Sequence, residues 1–445
     1  MKILHYALGF PPYRTGGLTK YCTDLMIAQR EQGHDVGLLW PGQIRVAFRK
    51  SSIKQGIDIN WIHSFEIINP LPVALDEGII NVEMYMTKGN KEIYKDFLEK
   101  FSPNAIHIHT LMGIHKEFII AAKELNIKTV FTTHDYYGIC PKVTLFYNGS
   151  VCDNDHGCED CINCNQTALS LKKIMLLQSP MYRQMKNLSI TKALRRKHRN
   201  QFFEATGNVK CQLAQNEINS RVEKYKQLRE YYIDILKNID VIHFNSSVSE
   251  MVYKRYFIPK DGRVVNITHK GIADNRKKKK FNHGKLKITY LAPAKPYKGF
   301  SVLKQALDEL WDEGNRNFEL NMYSVTNKIS PYMEIQDGYN YEELESIFDK
   351  TDLLVAPSVC YETFGFTVLE ALSYGVPVLV SENVGAKDIV LNPNWVIEAS
   401  SVQELKNIIN NIKIEDLEAY NAKILELNKI CEYKTFVKQN DKLYQ

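Results

Sequence analysis

No run in this 445-residue chain approaches the roughly 20 consecutive apolar residues that a membrane-spanning helix needs. The opening MKILHYALGFPPYR is too short and too interrupted for a secretory signal. Both absences point to a cytoplasmic, unprocessed chain. The nine cysteines are odd in number and unevenly spaced, which argues against a disulfide framework and leaves reduced thiols or a metal site. The composition has no extreme either: 44% hydrophobic, 24% charged and 11% aromatic residues exclude a collagenous, coiled-coil or disordered chain. At roughly 150 residues per domain, the length suits two or three domains.

A further absence is local. Residues 161–203 contain no Asp or Glu but nine cations: Lys172, Lys173, Arg183, Lys186, Lys192, Arg195, Arg196, Lys197 and Arg199. The net charge is +6, so the rest of the chain is slightly acidic and the basicity belongs to this window. Ile174, Met175, Leu176, Leu177, Met181, Tyr182, Leu188, Ile190 and Leu194 are interleaved with these cations. The mixture suits an anionic membrane surface or another acidic partner, with a solvated helical face as the plainer alternative. It lacks the interleaved aromatic platform of single-strand binders, so no nucleic acid is expected.

The hydrophobic patterning alternates between strand and helix periods. KILHYAL reads as a strand, PPYRTGG as a turn-rich loop, LTKYCTDLMIAQREQGH as a helix stopped by Gly33, and DVGLLW as a second strand: a βαβ unit. AIHIHTL and KTVFTTH continue the pattern around the helix HKEFIIAAKELN, as in a parallel doubly wound sheet. The alternation breaks over 141–239, a cysteine-bearing and basic insertion, and resumes at DVIHFNS. RKKKKFNHGK reads as a charged linker, after which strands and helices alternate again from KLKITYLA onwards. The expected fold is α/β, with two Rossmann-like lobes facing a cleft. The first covers 1–275 with its insertion, 276–284 is the linker, 285–415 is the second lobe, and helices over 416–445 follow.

Several residues suit chemistry. Gly16 and Gly17 sit between a strand and a helix, where backbone N–H groups can approach an anion, although the three-glycine dinucleotide spacing is missing. In DLLVAPSVCYETFGFTVLEALSYGVPVLVS, a buried strand leads to Glu362, Phe364, Gly365 and Phe366, and the following helix carries Glu370. A carboxylate accepts two hydrogen bonds and can clamp vicinal sugar hydroxyls, while Gly365 leaves helix-start amides free for phosphate or sugar oxygens. His107 and His109 flank Ile108 and so share one face of a strand. Cys152, Cys158, Cys161 and Cys164 supply four soft thiolates in thirteen residues, enough for a structural zinc, with free buried thiols as the alternative. Asp153-Asn154-Asp155 does not follow a strand and is discounted as a metal motif.

YETFGFTVLEALSYGVPVLVS resembles the nucleotide-sugar motif of the retaining glycosyltransferases of family 4, two-lobed enzymes of the GT-B fold. TGGLTKYCTDLMIAQREQGHDV is similar to that family's glycine loop and helix, IHIHTL and TTHDYYGICP to its His-containing strand ends, and LAPAKPYKGFSVLKQAL to its phosphate-contact segment. The resemblance implies that Glu362 contacts the transferred sugar, that Glu370 clamps the ribose, and that the helices over 416–445 cross back onto the first lobe. It further implies that the amides of Phe364, Gly365 and Phe366 approach the sugar and diphosphate, that Lys298 neutralises the leaving diphosphate, and that His134 stands at the cleft beside the reacting sugar. His109 and Asp135 adjoin that position. The family's arginine is absent from Ala292-Pro293-Ala294-Lys295, and Lys295 is the nearest substitute, as a point charge in place of a bidentate fork.

The function so implied is transfer of a hexose from a nucleotide diphosphate sugar to a hydroxyl of a glycan or lipid-linked acceptor, with retention and no cofactor required for catalysis. It would serve polysaccharide or glycolipid synthesis at the inner membrane face. The rivals are a non-catalytic scaffold of the same fold and a sugar-nucleotide epimerase.

Overall fold

The computed structural model describes residues 1–14, 16–45, 50–153, 156–186, 188–189, 191, 215–281, 284–427 and 432–445. In the first lobe, eight strands form one sheet in the order β10-β9-β6-β5-β1-β2-β4-β3. They are β1 (Lys2–Tyr6), β2 (Asp35–Pro41), β3 (Ser52–Gln55), β4 (His63–Ile68), β5 (Ala105–Ile108), β6 (Lys128–Thr132), β9 (Val241–Phe244) and β10 (Gly262–Val264). All neighbours run parallel except β3, which pairs antiparallel with β4 at the edge. The central strands are buried along nearly their whole length, as a parallel sheet covered on both faces requires. Strands β3 and β4 lie in a stretch whose alternation is too short to read from sequence.

Helix α1 (Gly17–Glu31) returns from β1 to β2 and buries Tyr21, Cys22, Leu25 and Met26. Helices α2 (Lys91–Phe101) and α3 (Lys116–Glu124) flank β5 in sequence. The segment 141–239 begins with the hairpin β7 (Phe146–Tyr147) and β8 (Ser150–Val151), continues through α4 (Glu159–Cys164), α5 (Leu171–Leu177) and α6 (Pro180–Met185), and ends in α7 (Gln215–Asn238). Helix α7 reads as polar, yet Tyr225, Leu228, Tyr232, Ile235 and Leu236 recur at helical spacing and enter the first lobe's core. The described part of the insertion is thus an integral part of that lobe.

The basic window divides. Arg183 forms a two-pronged bond to Glu66 at 2.9 and 3.1 Å and covers the rings of Tyr13 and Trp40, while Lys186 donates to the carbonyls of Pro12 and Tyr13. Those two cations therefore serve the lobe itself and are withdrawn from the expected membrane-facing set, because each is held by internal acceptors. Lys172 and Lys173 stay exposed, while Lys192, Arg195, Arg196, Lys197 and Arg199 lie outside the described residues.

Helix α8 (Ser247–Lys254) follows β9 with a Ser246–Ser249 capping box. The lysine-rich run then packs instead of swinging free. Arg276 reaches the carbonyls of Ile424 and Leu427, Lys277 pairs with Asp349, and Lys279 is buried with Nζ on the Phe348 carbonyl.

The second lobe is a parallel sheet in the order β13-β12-β11-β14-β15-β16. Its strands are β11 (Leu286–Tyr290), β12 (Phe318–Met322), β13 (Met333–Ile335), β14 (Leu353–Ala356), β15 (Val378–Ser381) and β16 (Val396–Ile397). Helices α9 (Phe300–Asp312), α10 (Leu344–Asp349) and α11 (Phe366–Ser373) cross between them, and α12 (Val402–Asn411) and α13 (Ile414–Glu426) complete the lobe. The last helix, α14 (Tyr433–Asp441), packs on α1, and the residues after it carry Leu443 and Tyr444 into a cluster with Ile3, Ala105, Val130 and Val241 of the first sheet.

Candidate active site

The second-lobe strands end at a pocket of about 250 Å³, the position at which open parallel sheets receive ligands. Lys298, Ser358, Glu362, Gly365, Phe366 and Glu370 all line it. Two loops make its wall. The Tyr297 carbonyl accepts from the amides of both Val359 and Cys360 at 3.0 Å, which joins the segment bearing Lys298 to the segment bearing Glu362. Gly299 is required at this junction: its φ is +74°, and a Cβ there would lie 1.8 Å from the Pro357 carbonyl oxygen.

Lys298 Nζ lies 3.0 Å from Glu362 Oε1, and the Ser358 hydroxyl also donates to that carboxylate. Burial opposes the lysine charge, but Glu362 beside it, with Cys360 and Tyr297, keeps its pKa above the ordinary lysine value. The site thus holds a fixed cation close to a carboxylate. Next to them α11 starts at Gly365, φ +106°, with no side chain capping it. The orphan N–H groups of that first turn, at residues that line the pocket, form an anion-binding end. Phe364 itself is buried in the second-lobe core, and its carbonyl accepts from Ala386 N.

Glu370 lies one turn further along α11, buried, with His269 Nε2 at 3.6 Å. Burial and the Glu370 carboxylate together push the Tyr341 hydroxyl up to about 12. Neither His269 nor Tyr341 carries a sequence signal that reading by motif could use. Lys295 Nζ lies 5.5 Å from the Tyr297 ring and is not part of the pocket wall. Of the 292–295 stretch only the uncharged Ala292 and Pro293 line the pocket, so that stretch brings no cation to its wall.

The first lobe faces this pocket. Helix α1 begins at Gly17 after Gly16, φ +118°, again without a side-chain cap, and Lys20 in its first turn reaches to 5.8 Å from the Tyr341 ring. His134 follows β6, and Thr363, next to Glu362, donates through Oγ1 to the His134 carbonyl at 3.0 Å. Ser246 in turn donates to the Thr363 carbonyl at 2.6 Å. The loop presenting Glu362 is thereby clasped by the strand ends of the first lobe. Asp135 is held by its own turn, accepting from Tyr137 N, and burial raises its carboxyl to about 6. His109 lies behind His134, with 3.3 Å between Nδ1 and Nε2, and His107 is stacked 4.1 Å below His109.

Cys158 is hydrogen-bonded to Cys161, and Cys140 lies close enough to act on the titration of both Cys161 and Cys164. Burial pushes Cys164 up to about 12. Cys152 stays by the hairpin, its N–H on the Leu145 carbonyl. Among the described residues, the one group of three metal-capable side chains with donor atoms mutually within 4.8 Å is His5, His107 and His109.

Residues 15–149 match the model of Glycosyltransferase Family 4, and residues 328–426 match Glycosyl transferases group 1. A probable glycogen synthase of Methanocaldococcus jannaschii is 24% identical over 171 residues, 34% of this chain, and the match spans about a third (32%) of that relative's length. An uncharacterized 42.6 kDa protein in the cps region of Klebsiella pneumoniae is 23% identical over 95% of both chains. The structure of Anabaena HepE in complex with UDP and glucose superposes with a TM-score of 0.51 at 13% identity, covering 99% of this chain and 98% of that one. Among the described residues no helix is long and apolar enough to cross a membrane. With one family match on each side of a single cleft, and both inside a two-lobed α/β architecture, the chain is a glycosyltransferase of the GT-B class.

Proposed function

We propose that the chain transfers a hexose from a nucleoside diphosphate sugar to a hydroxyl of a glycan or lipid-linked acceptor, with retention of the anomeric configuration. The observation that carries this reading is the pocket wall shared by Lys298, Glu362 and the uncapped start of α11, with the buried Glu370 one turn along the same helix. A diphosphate placed there meets a cation and free amides, and Glu370 is placed to accept the ribose hydroxyls. As the bond from C1 to the diphosphate oxygen breaks, its electron pair leaves with the diphosphate, and Lys298 with the α11 amides stabilises the charge that develops. The acceptor oxygen attacks from the same face and its proton passes to the departing phosphate oxygen. No step calls for a second carboxylate as nucleophile. Divalent metal is not needed in this scheme, and turnover in EDTA equal to that in magnesium is expected.

The membrane side of the proposal rests on α5 and α6. Leu176, Leu177, Met181 and Met185 are 38–59% exposed, next to exposed Lys172 and Lys173. Apolar side chains flanked by lysines suit an anionic bilayer surface carrying a lipid-linked acceptor.

The test is nucleoside diphosphate release from a panel of UDP-, GDP-, ADP- and dTDP-hexoses, with and without glycan and lipid-linked acceptors, and NMR of the product's anomeric centre. Acceptor-dependent release with a retained anomer is expected. Conversion of donor alone into an isomeric sugar nucleotide would make the protein an epimerase. Absence of both release and donor binding would leave a non-catalytic scaffold.

A further inference from the structure

A line of buried polar side chains runs under the first lobe from the cleft to the far edge of the sheet. His134 Nε2 meets His109 Nδ1 at 3.3 Å, and His109 Nε2 meets His5 Nδ1 at 2.9 Å. His5 Nε2 meets Gln29 Oε1 at 2.8 Å, and Gln29 Nε2 donates to the Tyr444 hydroxyl at 3.0 Å. Tyr444 meets His107 Nδ1 at 2.8 Å, and His107 Nε2 meets Thr132 Oγ1 at 2.7 Å. Thr132 meets His243 Nδ1 at 2.9 Å, and His243 Nε2 meets the Val265 carbonyl at 2.8 Å. Parallel pairing sets His5 beside His107, and β6 and β9 bring Thr132 beside His243.

The last partner settles every proton in the line. A backbone carbonyl only accepts, so His243 carries its proton on Nε2 and accepts on Nδ1. Thr132 has one hydroxyl proton and must give it to His243, so it accepts from His107 Nε2–H. His107 Nδ1 then accepts from Tyr444, which accepts from Gln29 Nε2. Gln29 Oε1 receives His5 Nε2–H, His5 Nδ1 receives His109 Nε2–H, and His109 Nδ1 receives His134 Nε2–H. All eight bonds point one way, and no other assignment of neutral rings satisfies each of them. Burial keeps the imidazoles neutral: His5 and His243 fall to about 4, His134 to about 3, and His107 and His109 well below the usual histidine range.

We infer that this one-way line locks His134 as the Nε2–H tautomer, so that Nδ1 offers the substrate a lone pair and His134 acts there only as an acceptor. Nδ1 has no partner among the described residues. The assignment deepens the proposed transferase function and rests on it for the substrate contact: a sugar or acceptor hydroxyl donates to His134. Thr132, Gln29, His243 and Tyr444 are positioning residues, and Tyr444, next to the last residue of this chain, closes the line from the end of the crossing-back segment. Where the line is cut, the amide of Gln29 is free to turn over, the reverse direction becomes available, and a proton can occupy His134 Nδ1.

The experiment is long-range proton–nitrogen correlation on the full chain labelled with 15N-histidine at neutral pH, with the His134 signals identified by their loss in His134→Gln. The wild type is expected to show Nε2 protonated and Nδ1 bare. Thr132→Val and Tyr444→Phe should each populate the opposite tautomer, and Thr132→Ser should restore the wild-type pattern. At equal tautomer populations kcat/KM falls about twofold, since only the competent fraction receives the hydroxyl. A protonated Nδ1 in the wild type, or one unchanged tautomer in both cut variants, would overturn the inference. The wild-type spectrum alone decides the direction should the cut variants fail to fold. The spectra do not depend on activity, so an inactive chain with the stated tautomer would count against the transferase reading and not against the line.

Discussion

Lys298 and Glu362 face each other at 3.0 Å in the pocket wall, so each is the other's partner. A diphosphate must draw Lys298 away from Glu362, which frees that carboxylate for a sugar hydroxyl. Lys298→Ala is therefore expected to lower kcat by about 10²–10³, the usual cost of removing one electrostatic stabiliser of developing charge. Glu370→Ala should instead raise the donor KM about 10- to 100-fold, as loss of a hydrogen bond to a charged group does, with a smaller change in kcat. Steady-state kinetics on both variants, with a tritiated or fluorescent donor, separates the two roles. Equal effects on kcat and KM in both would show that the pocket does not divide into a leaving-group end and a ribose end.

At the scale of elements, the turn before α9 and the histidine-bearing strands each carry a consequence. Gly299→Ala places a methyl against the Pro357 carbonyl at φ +74°, so strain of about 1–3 kcal/mol is expected together with displacement of Lys298. A lower Tm and a raised donor KM in that single variant would show the coupling. The buried histidines give a pH dependence of known sign. His5, His115 and His243 have folded pKa values of about 4 against 6.5 when free, so the unfolded chain binds more protons between those limits. Their stabilisation is fully present above pH 6.5 and is lost as the pH falls towards 4, by up to about 3 kcal/mol for each. Asp135, raised from 3.8 to about 6, acts oppositely between those two values, across most of that window, but as one group against the six lowered histidines His5, His107, His109, His115, His134 and His243. Urea unfolding from pH 7 to pH 4.5 should show stability falling with acid. A flat profile would mean that these rings are not held neutral.

For the whole molecule, the two lobes are joined by more than the linker. Arg255 and Tyr361 meet across the cleft at 3.1 Å, both contact Asp153, and Ser247 N donates to Asp388. The α5–α6 face lies on the first lobe, whose other residues supply the proposed acceptor side. Changing Lys172, Lys173, Leu176, Leu177 and Met181 to Ser should leave the fold intact, since all five are at least partly exposed. The expected result is weaker sedimentation with anionic vesicles, by about 2 kcal/mol from the two lysines alone, and a loss of wild-type binding at high salt. Equal binding by variant and wild type would remove this face from the membrane proposal while leaving the donor chemistry untouched.

The alternation of β and α periods and the YETFGFTVLEALSYG segment were enough to place two lobes and the residues Glu362, Gly365 and Glu370 on one pocket, because those features are local: a period, a turn and a helix start. Lys298 was legible for the same reason, and so was the shared face of His107 and His109, which follows from the two-residue repeat of a strand. Contacts between segments distant in the chain were not legible. Gln29 and Tyr444 are 415 positions apart, His5 and His109 are 104 apart, and only the packing of α14 on α1 and the pairing of β1 with β5 bring them together. The same applies to Arg183 and Lys186, whose charge the sequence shows but whose acceptors, Glu66 and the 12–13 carbonyls, are chosen by the fold. The chemical repertoire of the cleft is thus written along the chain. The direction of its hydrogen bonds is decided by tertiary structure, because a proton's position depends on the acceptor at the far end of the line.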